Sequence, residues 1–309
     1  MILGIEIGGT KLQLGVGDPN QRSLVELKRF DVDRSRGARG ILDQILSAAP
    51  TLIEQFHIKK IGIGYGGPVD TVSKKVITSH HIDGWDGFEL GRWCVEKLGC
   101  EASIDNDCNV AALAEANRGA GEGFHRVFYV TVGTGIGGGL VIDGRIDGTG
   151  RPAIAEIGHL RPGPNAKLDS ETVEAFSSGS GIEKQMRTHL ATASESQGDR
   201  DELMTLCDSD LSNLTAKRIG EAFLNGNSHA TTVMSQAIST LGWGIAQVIT
   251  LIAPDVVVIG GGVSLIGDRF FSLLNEAIEI YVFPPLRDSF RVVPAALGEE
   301  VVLHGAILL

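Results

Sequence analysis

Cysteine is scarce in this chain, and its four residues are scattered. Cys94, Cys100, Cys108 and Cys207 form no C-x-x-C pair, so no disulfide framework is expected and the thiols should be reduced and mostly buried. Positive charge is also in deficit. Lys and Arg number 27 against 38 Asp and Glu, a formal net charge of −11, which argues against nonspecific binding to nucleic acid or an anionic membrane. The first residues lack the basic segment and cleavage site of a signal peptide, and no apolar run is read as reaching a bilayer span. A cytoplasmic location is therefore expected. No G-x-x-x-x-G-K-[ST] phosphate loop occurs either. An anionic ligand would have to be held by other local loops and a metal ion.

Glycine, by contrast, is abundant: 41 of 309 residues, roughly twice average usage. Much of it falls in two elbows between β-type runs, Gly8-Gly9-Thr10-Lys11 after Ile2–Ile7 and Gly133-Thr134-Gly135-Ile-Gly137-Gly138 after Val127–Val132. Glycine permits a tight turn and close backbone approach, and exposed amides beside a Thr hydroxyl form an anion-binding nest. Two such elbows suggest a duplicated fold that clamps a nucleotide. The second elbow also matches G-x-G-x-x-G, as does Gly62-Ile-Gly64-Tyr-Gly66-Gly67. That fingerprint has meaning only where a strand leads into a helix. Here the first match runs into an apolar strand ending in Asp143-Gly144 and the second into Pro68-Val69-Asp70, so a Rossmann site is not expected.

Strand patterns at 1–7, 11–17, 24–31, 58–65, 102–105, 126–132, 137–142 and 254–259 alternate with helical patterns at 38–56, 110–120, most of 179–252, after Gly262 and over 297–309. This alternation predicts an α/β protein. Polar stretches at 193–200 and 225–228 read as surface loops. The expected division is a smaller domain, residues 1–107 with the returning helix 297–309, and a larger one, 108–296.

Several polar pairs stand at element ends. Asn106-Asp107 lies where a strand meets a helix, the position that faces ligands in open α/β sheets. An Asp there can accept a hydroxyl proton as general base, although a helix cap is an equally ordinary use of both residues. Glu156-Ile-Gly-His159 and Glu174 offer acceptors and a histidine to a polyhydroxy ligand. Gly260-Gly261-Gly262 follows an apolar run and permits backbone to approach a base or ribose.

Taken in order, Glu6-Ile-Gly-Gly-Thr-Lys11, Gly66-Gly-Pro-Val-Asp70, Asp105-Asn-Asp-Cys-Asn109, Gly133-Thr-Gly-Ile-Gly-Gly138, Glu156-Ile-Gly-His159 and Ile259-Gly-Gly-Gly-Val263 resemble the ROK family (repressors, open reading frames and sugar kinases) over essentially the whole chain. The resemblance implies two ribonuclease-H-like domains around a cleft, the fold of the sugar kinase, actin and heat-shock ATPase superfamily. It implies a kinase for a hexose, with ATP as co-substrate and Mg²⁺ as cofactor. Asp107 matches the catalytic base. Gly67, Asn106, Asp107, Glu156, His159 and Glu174 match sugar-binding positions. Gly8, Gly9, Thr10, Lys11, Gly133, Thr134, Gly135, Gly261 and Gly262 match the nucleotide side, and a homodimer is the family expectation.

Three departures qualify the resemblance. The family's zinc cysteines would fall on Asn165, Lys167 and Thr172, none able to replace a thiolate, so no structural zinc is expected and His159 keeps only a sugar contact. Glu6 stands where many relatives have Asp, which leaves its link to Mg²⁺ through water one methylene longer. Ser79-His80-His81 precedes Asp83-Gly-Trp85 where an asparagine is common, which bears on sugar choice. Three functions remain in view: an ATP-dependent glucokinase acting on the 6-hydroxyl; a kinase for another hexose or N-acetylhexosamine, or one using polyphosphate; and a sugar-responsive regulator without enzymatic activity.

Overall fold

The computed structural model describes residues 1–79, 82–148, 150–151, 153–192 and 197–309; His80 and His81 of the third departure lie outside them. In chain order the elements are β1 (Ile2–Ile7), β2 (Lys11–Gly17), β3 (Leu24–Asp31), α1 (Gly37–Phe56), β4 (Lys60–Tyr65), β5 (Val69–Asp70), β6 (Lys75–Val76), α2 (Leu90–Leu98), β7 (Glu101–Asn106), α3 (Asp107–Arg118), β8 (Arg126–Val132), β9 (Ile136–Ile142) and β10 (Arg145–Ile146). There follow α4 (Val173–Ser177), α5 (Gly179–Thr192), α6 (Gln197–Leu206), α7 (Ala216–Leu224), α8 (Ser228–Ile252), β11 (Val256–Gly260), α9 (Asp268–Tyr281), β12 (Arg291–Pro294) and α10 (Val301–Ala306).

Two five-stranded sheets repeat one plan, with strand orders β3-β2-β1-β4-β7 and β10-β9-β8-β11-β12. In each, the first three strands of the set lie in reverse order beside the fourth and fifth. β1 pairs antiparallel with β2 and parallel with β4, and β11 pairs parallel with β12. This is the mixed α/β, actin-like ATPase fold that the ROK resemblance implies. Neither G-x-G-x-x-G match opens a helix: Gly138 lies inside β9, and Gly67 leads into the short β5.

The chain divides into two compact units, residues 1–129, 139–155 and 295–309 in one and residues 130–138 and 156–294 in the other. The division places α3 with the first unit, whereas the sequence reading drew its boundary at residue 107. The first unit's core gathers Leu3, Ile5, Leu12, Leu14, Ile41, Ile45, Ile61 and Ile63, all fully or almost fully buried. α10 packs on α3, β1 and β4 within this unit. Glycine makes that contact possible. A Cβ at Gly62 would sit 1.7 Å from the Ala306 carbonyl oxygen, and one at Gly305 would sit 1.9 Å from that of Val110. The glycines that mimic a dinucleotide fingerprint in β4 thus serve helix packing.

In the second unit, α8 buries Val233, Met234, Ala237, Ile238, Leu241 and Ile245, and packs along α9. At 25 residues, α8 is long and apolar enough to cross a membrane by length and composition alone. This corrects the expectation that no apolar run reaches that length; its Ser, Thr, Gly and Ala residues dilute the run in the sequence. Half of its most apolar window is buried inside the protein, as befits a core helix. Polarity predicts a loop over 193–200, but residues 197–200 are the first turn of α6, and 193–196 lie outside the described residues. The turn at 225–226 is present, and Asn227 caps α8 through its side chain. After Gly262 a short 3-10 turn precedes α9, and the final helix is shorter than the pattern over 297–309 suggests.

Candidate active site

Three of the implicated segments converge within the first unit. β1 ends at the first elbow, where the Gly8 N–H donates to the Lys11 carbonyl (3.0 Å). The neighbouring β4 ends at Tyr65, and the Gly66 N–H donates back to the Ile7 carbonyl (2.8 Å). A Cβ on Gly66 would lie 3.3 Å from Asp107 Oδ2 and 3.6 Å from Gly8 Cα. The side-chain space that Gly66 leaves empty therefore adjoins both the Asp107 carboxylate and the first elbow. Asp107 Oδ1 accepts the Cys108 N–H (2.8 Å), which leaves Oδ2 toward Gly66.

Asn106 both caps a helix and ties down the neighbouring glycine segment. Its Oδ1 accepts the Cys108 N–H (2.9 Å) and caps α3, while Nδ2 donates to the Gly67 carbonyl (3.2 Å). Behind it, buried Asp105 accepts the Asn106 N–H (2.7 Å) and Asn109 Nδ2 (2.9 Å) on the same oxygen. Burial pushes the Asp105 carboxyl above the usual range, with these two hydrogen bonds opposing.

Glu6 lies beneath the first elbow, 7% exposed. Lys11 Nζ lies 3.3 Å from its Oε1, and Gln13 Nε2 donates to Oε2 (2.6 Å). Burial raises the Glu6 carboxyl and Lys11 pulls it back down. No cluster of three acidic, His or Cys side chains suited to a metal occurs among the described residues. Both Glu6 oxygens are engaged by neighbouring side chains, so a metal held from this carboxylate would have to be bridged through water or displace Lys11. The zinc positions do not fit a metal. Asn165 and Lys167 are exposed, and the Thr172 side chain caps α4 through the Ala175 N–H (3.2 Å).

The second unit gathers the remaining residues. At its elbow the Gly133 N–H donates to the Gly135 carbonyl (2.9 Å), and the Gly179 N–H to the Gly133 carbonyl (2.7 Å). Ile136 links this elbow to the sugar-side candidates. Its N–H donates to Glu174 Oε2 (2.7 Å), and its carbonyl lies 2.2 Å from where a Gly158 Cβ would be. Gly158 belongs to the 3-10 turn Ile157–His159 that follows Glu156. Although Glu156 is open to solvent at its surface, desolvation raises its carboxyl, with His159 opposing and Glu174 adding to the rise. Gly261, at φ 86°, lies against the Val132 backbone, where a Cβ would meet it at 2.5 Å.

A cavity of about 610 Å³ opens from this elbow, a volume usual for a small-molecule site. Gly133, Thr134, Gly179 and Ser180 line one part; α7 and its cap supply Thr215, Lys217, Glu221 and Leu224; and the turn after Gly262 supplies Leu265 and Ile266. The α7 residues and Glu183 are not among the candidates drawn from the sequence. The available signal was an amphipathic helix that leaves Leu224 exposed, beside an even more exposed Leu265.

The model of the ROK family matches residues 2–309. The chain belongs to the ROK family. A glucokinase of Thermotoga maritima is 27% identical over 99% of this chain and 95% of its own length. Among solved structures, a ROK glucokinase from Streptomyces griseus in complex with glucose and AMPPNP superimposes with a TM-score of 0.83, at 27% identity, covering 99% of this chain and 97% of that one. A ROK transcriptional regulator, a homologue of the E. coli MLC protein, reaches 0.82 at 20% identity, covering 99% of this chain and 76% of that one. The last comparison shows a shared fold alone, so membership of the ROK family does not by itself separate kinase from regulator.

Proposed function

We propose that this ROK protein is an ATP-dependent hexose kinase that transfers the γ-phosphoryl group to a sugar hydroxyl, with the 6-hydroxyl of glucose as the first candidate. The observation that carries the reading is the carboxylate of Asp107, fixed on one oxygen by the Cys108 N–H and bordering, with Gly8 of the first elbow, the side-chain space that Gly66 leaves empty. A base held at an anion nest is what phosphoryl transfer needs, because that chemistry depends on positioning and charge rather than on covalent catalysis. The glucokinases of similar sequence and structure support the same assignment.

In this reading Asp107 Oδ2 accepts the hydroxyl proton as the sugar oxygen attacks. The Gly67 peptide and Asn106 hold the sugar beside it, and Glu156, His159 and Glu174 take further hydroxyls. Backbone amides and Thr hydroxyls of Gly8–Thr10 and Gly133–Gly135 hold phosphates, with Gly261 and Gly262 by the nucleoside. Bound Mg²⁺, held through water by Glu6, would neutralise phosphate charge. The apolar walls Leu224, Leu265 and Ile266 favour a nucleoside over a polyphosphate chain, which has no apolar part to bury. A coupled assay across a panel of hexoses, with ATP or polyphosphate, tests the proposal. Absence of phosphorylation of every sugar would refute it, and polyphosphate preferred over ATP would refute the donor.

A further inference from the structure

Tyr65, the last residue of β4, has no part in the reading above. It stands opposite Asn106 in the β4–β7 ladder and opposite Ile7, which leads into the first elbow, in the β1–β4 ladder. Its side chain is only 2% exposed. The ring lies under Gly67, where a Cβ would be 3.0 Å from Tyr65 Cε1 and 3.3 Å from the Thr78 carbonyl oxygen. Trp85 closes its flank edge to face at 5.3 Å, and Phe88 does the same to Trp85.

Packing alone does not call for a hydroxyl here, since phenylalanine would fill the same space. A buried phenol costs free energy unless it is hydrogen-bonded. The Tyr65 hydroxyl is bonded to the Ser79 side chain, and Ser79 Oγ also accepts the Ile82 N–H (3.2 Å). The preceding residue, Thr78, donates through Oγ1 to Asp86 Oδ1 (2.7 Å). The ring thus seats the Gly67 peptide, and the hydroxyl ties Ser79 and Ile82 to the same strand end.

We infer that Tyr65 is a positioning residue for the hexose: it fixes Gly67, the partner of Asn106, together with Ser79 and Ile82. The inference rests on the hexose-kinase reading for its ligand, but the anchoring contact is open to a separate measurement. Tyr65→Phe keeps the ring and removes only the hydroxyl. Loss of one hydrogen bond of ordinary strength should raise the KM for hexose about five-fold, with the KM for nucleotide and kcat within about two-fold. Ser79→Ala should reproduce the effect, Ser79→Thr should restore the wild-type KM, and the Tyr65→Phe/Ser79→Ala double variant should be no worse than either single one.

Hydrogen exchange at the Ile82 amide should quicken in Tyr65→Phe whether or not sugar is present. An unchanged hexose KM, or equal rises in the hexose and nucleotide KM values, would overturn the inference. So would unchanged exchange at Ile82. A wild-type protein that phosphorylates no hexose would instead refute the functional reading, and the exchange comparison would still decide whether the anchor exists.

Discussion

The two elbows share a role in the proposal but differ in their surroundings. The first is set among charge: Glu6, Lys11 and Gln13 form a connected group beneath it, and Arg34 Nε donates to the Gly9 carbonyl (2.8 Å). Asp107 stands one glycine away. At the second elbow Glu174 is a buttress through Ile136, the Gly179 amide ties the loop to α5, and the cavity it opens onto has, among the described residues, one basic lining residue, Lys217. The contrast implies a division of labour, with the first elbow coupled to proton and phosphoryl transfer and the second to the fit of ligands.

The largest effect expected from breaking this division is at Asp107. Asp107→Asn should leave both KM values near wild type and lower kcat by about 10²–10⁴-fold, the usual worth of a general base. Steady-state kinetics with hexose and ATP checks this, and a near-normal kcat would remove Asp107 from its role.

Paired alanines at the two elbows sharpen the comparison. In Gly66→Ala the new methyl group would press on Asp107 Oδ2 and on the Ile7 carbonyl oxygen, both at 3.3 Å. A displacement of a few tenths of an ångström should cost about ten-fold in kcat. In Gly135→Ala the methyl would meet Glu174 Oε2 at 2.6 Å, so the carboxylate must leave the Ile136 N–H. Loss of that charge-assisted bond should raise the KM for both sugar and nucleotide by about ten-fold, with a smaller change in kcat. If both variants act on kcat alone, the proposed division fails.

How much of this was legible in the sequence follows from how local each signal is. β1, β2, β3, β8 and β9 carry their own alternation and glycine punctuation, and they were located to within about a residue. β12 and α2 were missed because four residues and nine residues of mixed polarity carry too little periodicity. The duplicated sheet order was foreseeable only through the paired elbows. At the candidate site, Asn106-Asp107 was visible as a strand-to-helix junction, but the role of Gly66 as a spacer depends on β1, β4 and β7 lying side by side. The pocket residues of α7 are contributed across more than seventy residues of chain, a distance over which no sequence spacing carries meaning.

A smaller effect, on stability, should separate Asp105 from its neighbour. Burial holds the Asp105 carboxyl above its ordinary value, so the folded chain binds this proton more tightly than the unfolded one. Its contribution to stability is present in full below the ordinary carboxylate range and is lost as pH rises through the raised value. Asp105→Asn removes that loss and preserves an oxygen for the Asn106 N–H. The variant should melt about 2–4 °C higher than wild type at neutral pH, with the advantage shrinking toward about pH 4. Thermal melts at two pH values check this. An advantage that grows on acidification would reverse the assigned sign.

The smallest effect concerns the stretch between Leu160 and Glu174, which carries no thiolate at Asn165, Lys167 or Thr172 to bind a metal. Arg161 crosses it, donating to the Lys167 carbonyl (3.3 Å) and pairing with Asp169. Yet Asp169 is almost wholly exposed, and exposed pairs contribute little. The anchoring is spread over several contacts: the Val173 N–H on the Leu160 carbonyl (2.8 Å), the Leu168 N–H on Glu171 Oε2 (2.9 Å), and the Thr172 cap on α4. Arg161→Ala should therefore change the sugar KM by less than about two-fold and stability by less than about 1 kcal/mol. Calorimetry and steady-state kinetics on one preparation would check both. A large rise in sugar KM would mean that Glu174 depends on this one arginine as it would on a metal staple, and that the second unit's fit is less distributed than its hydrogen bonds imply.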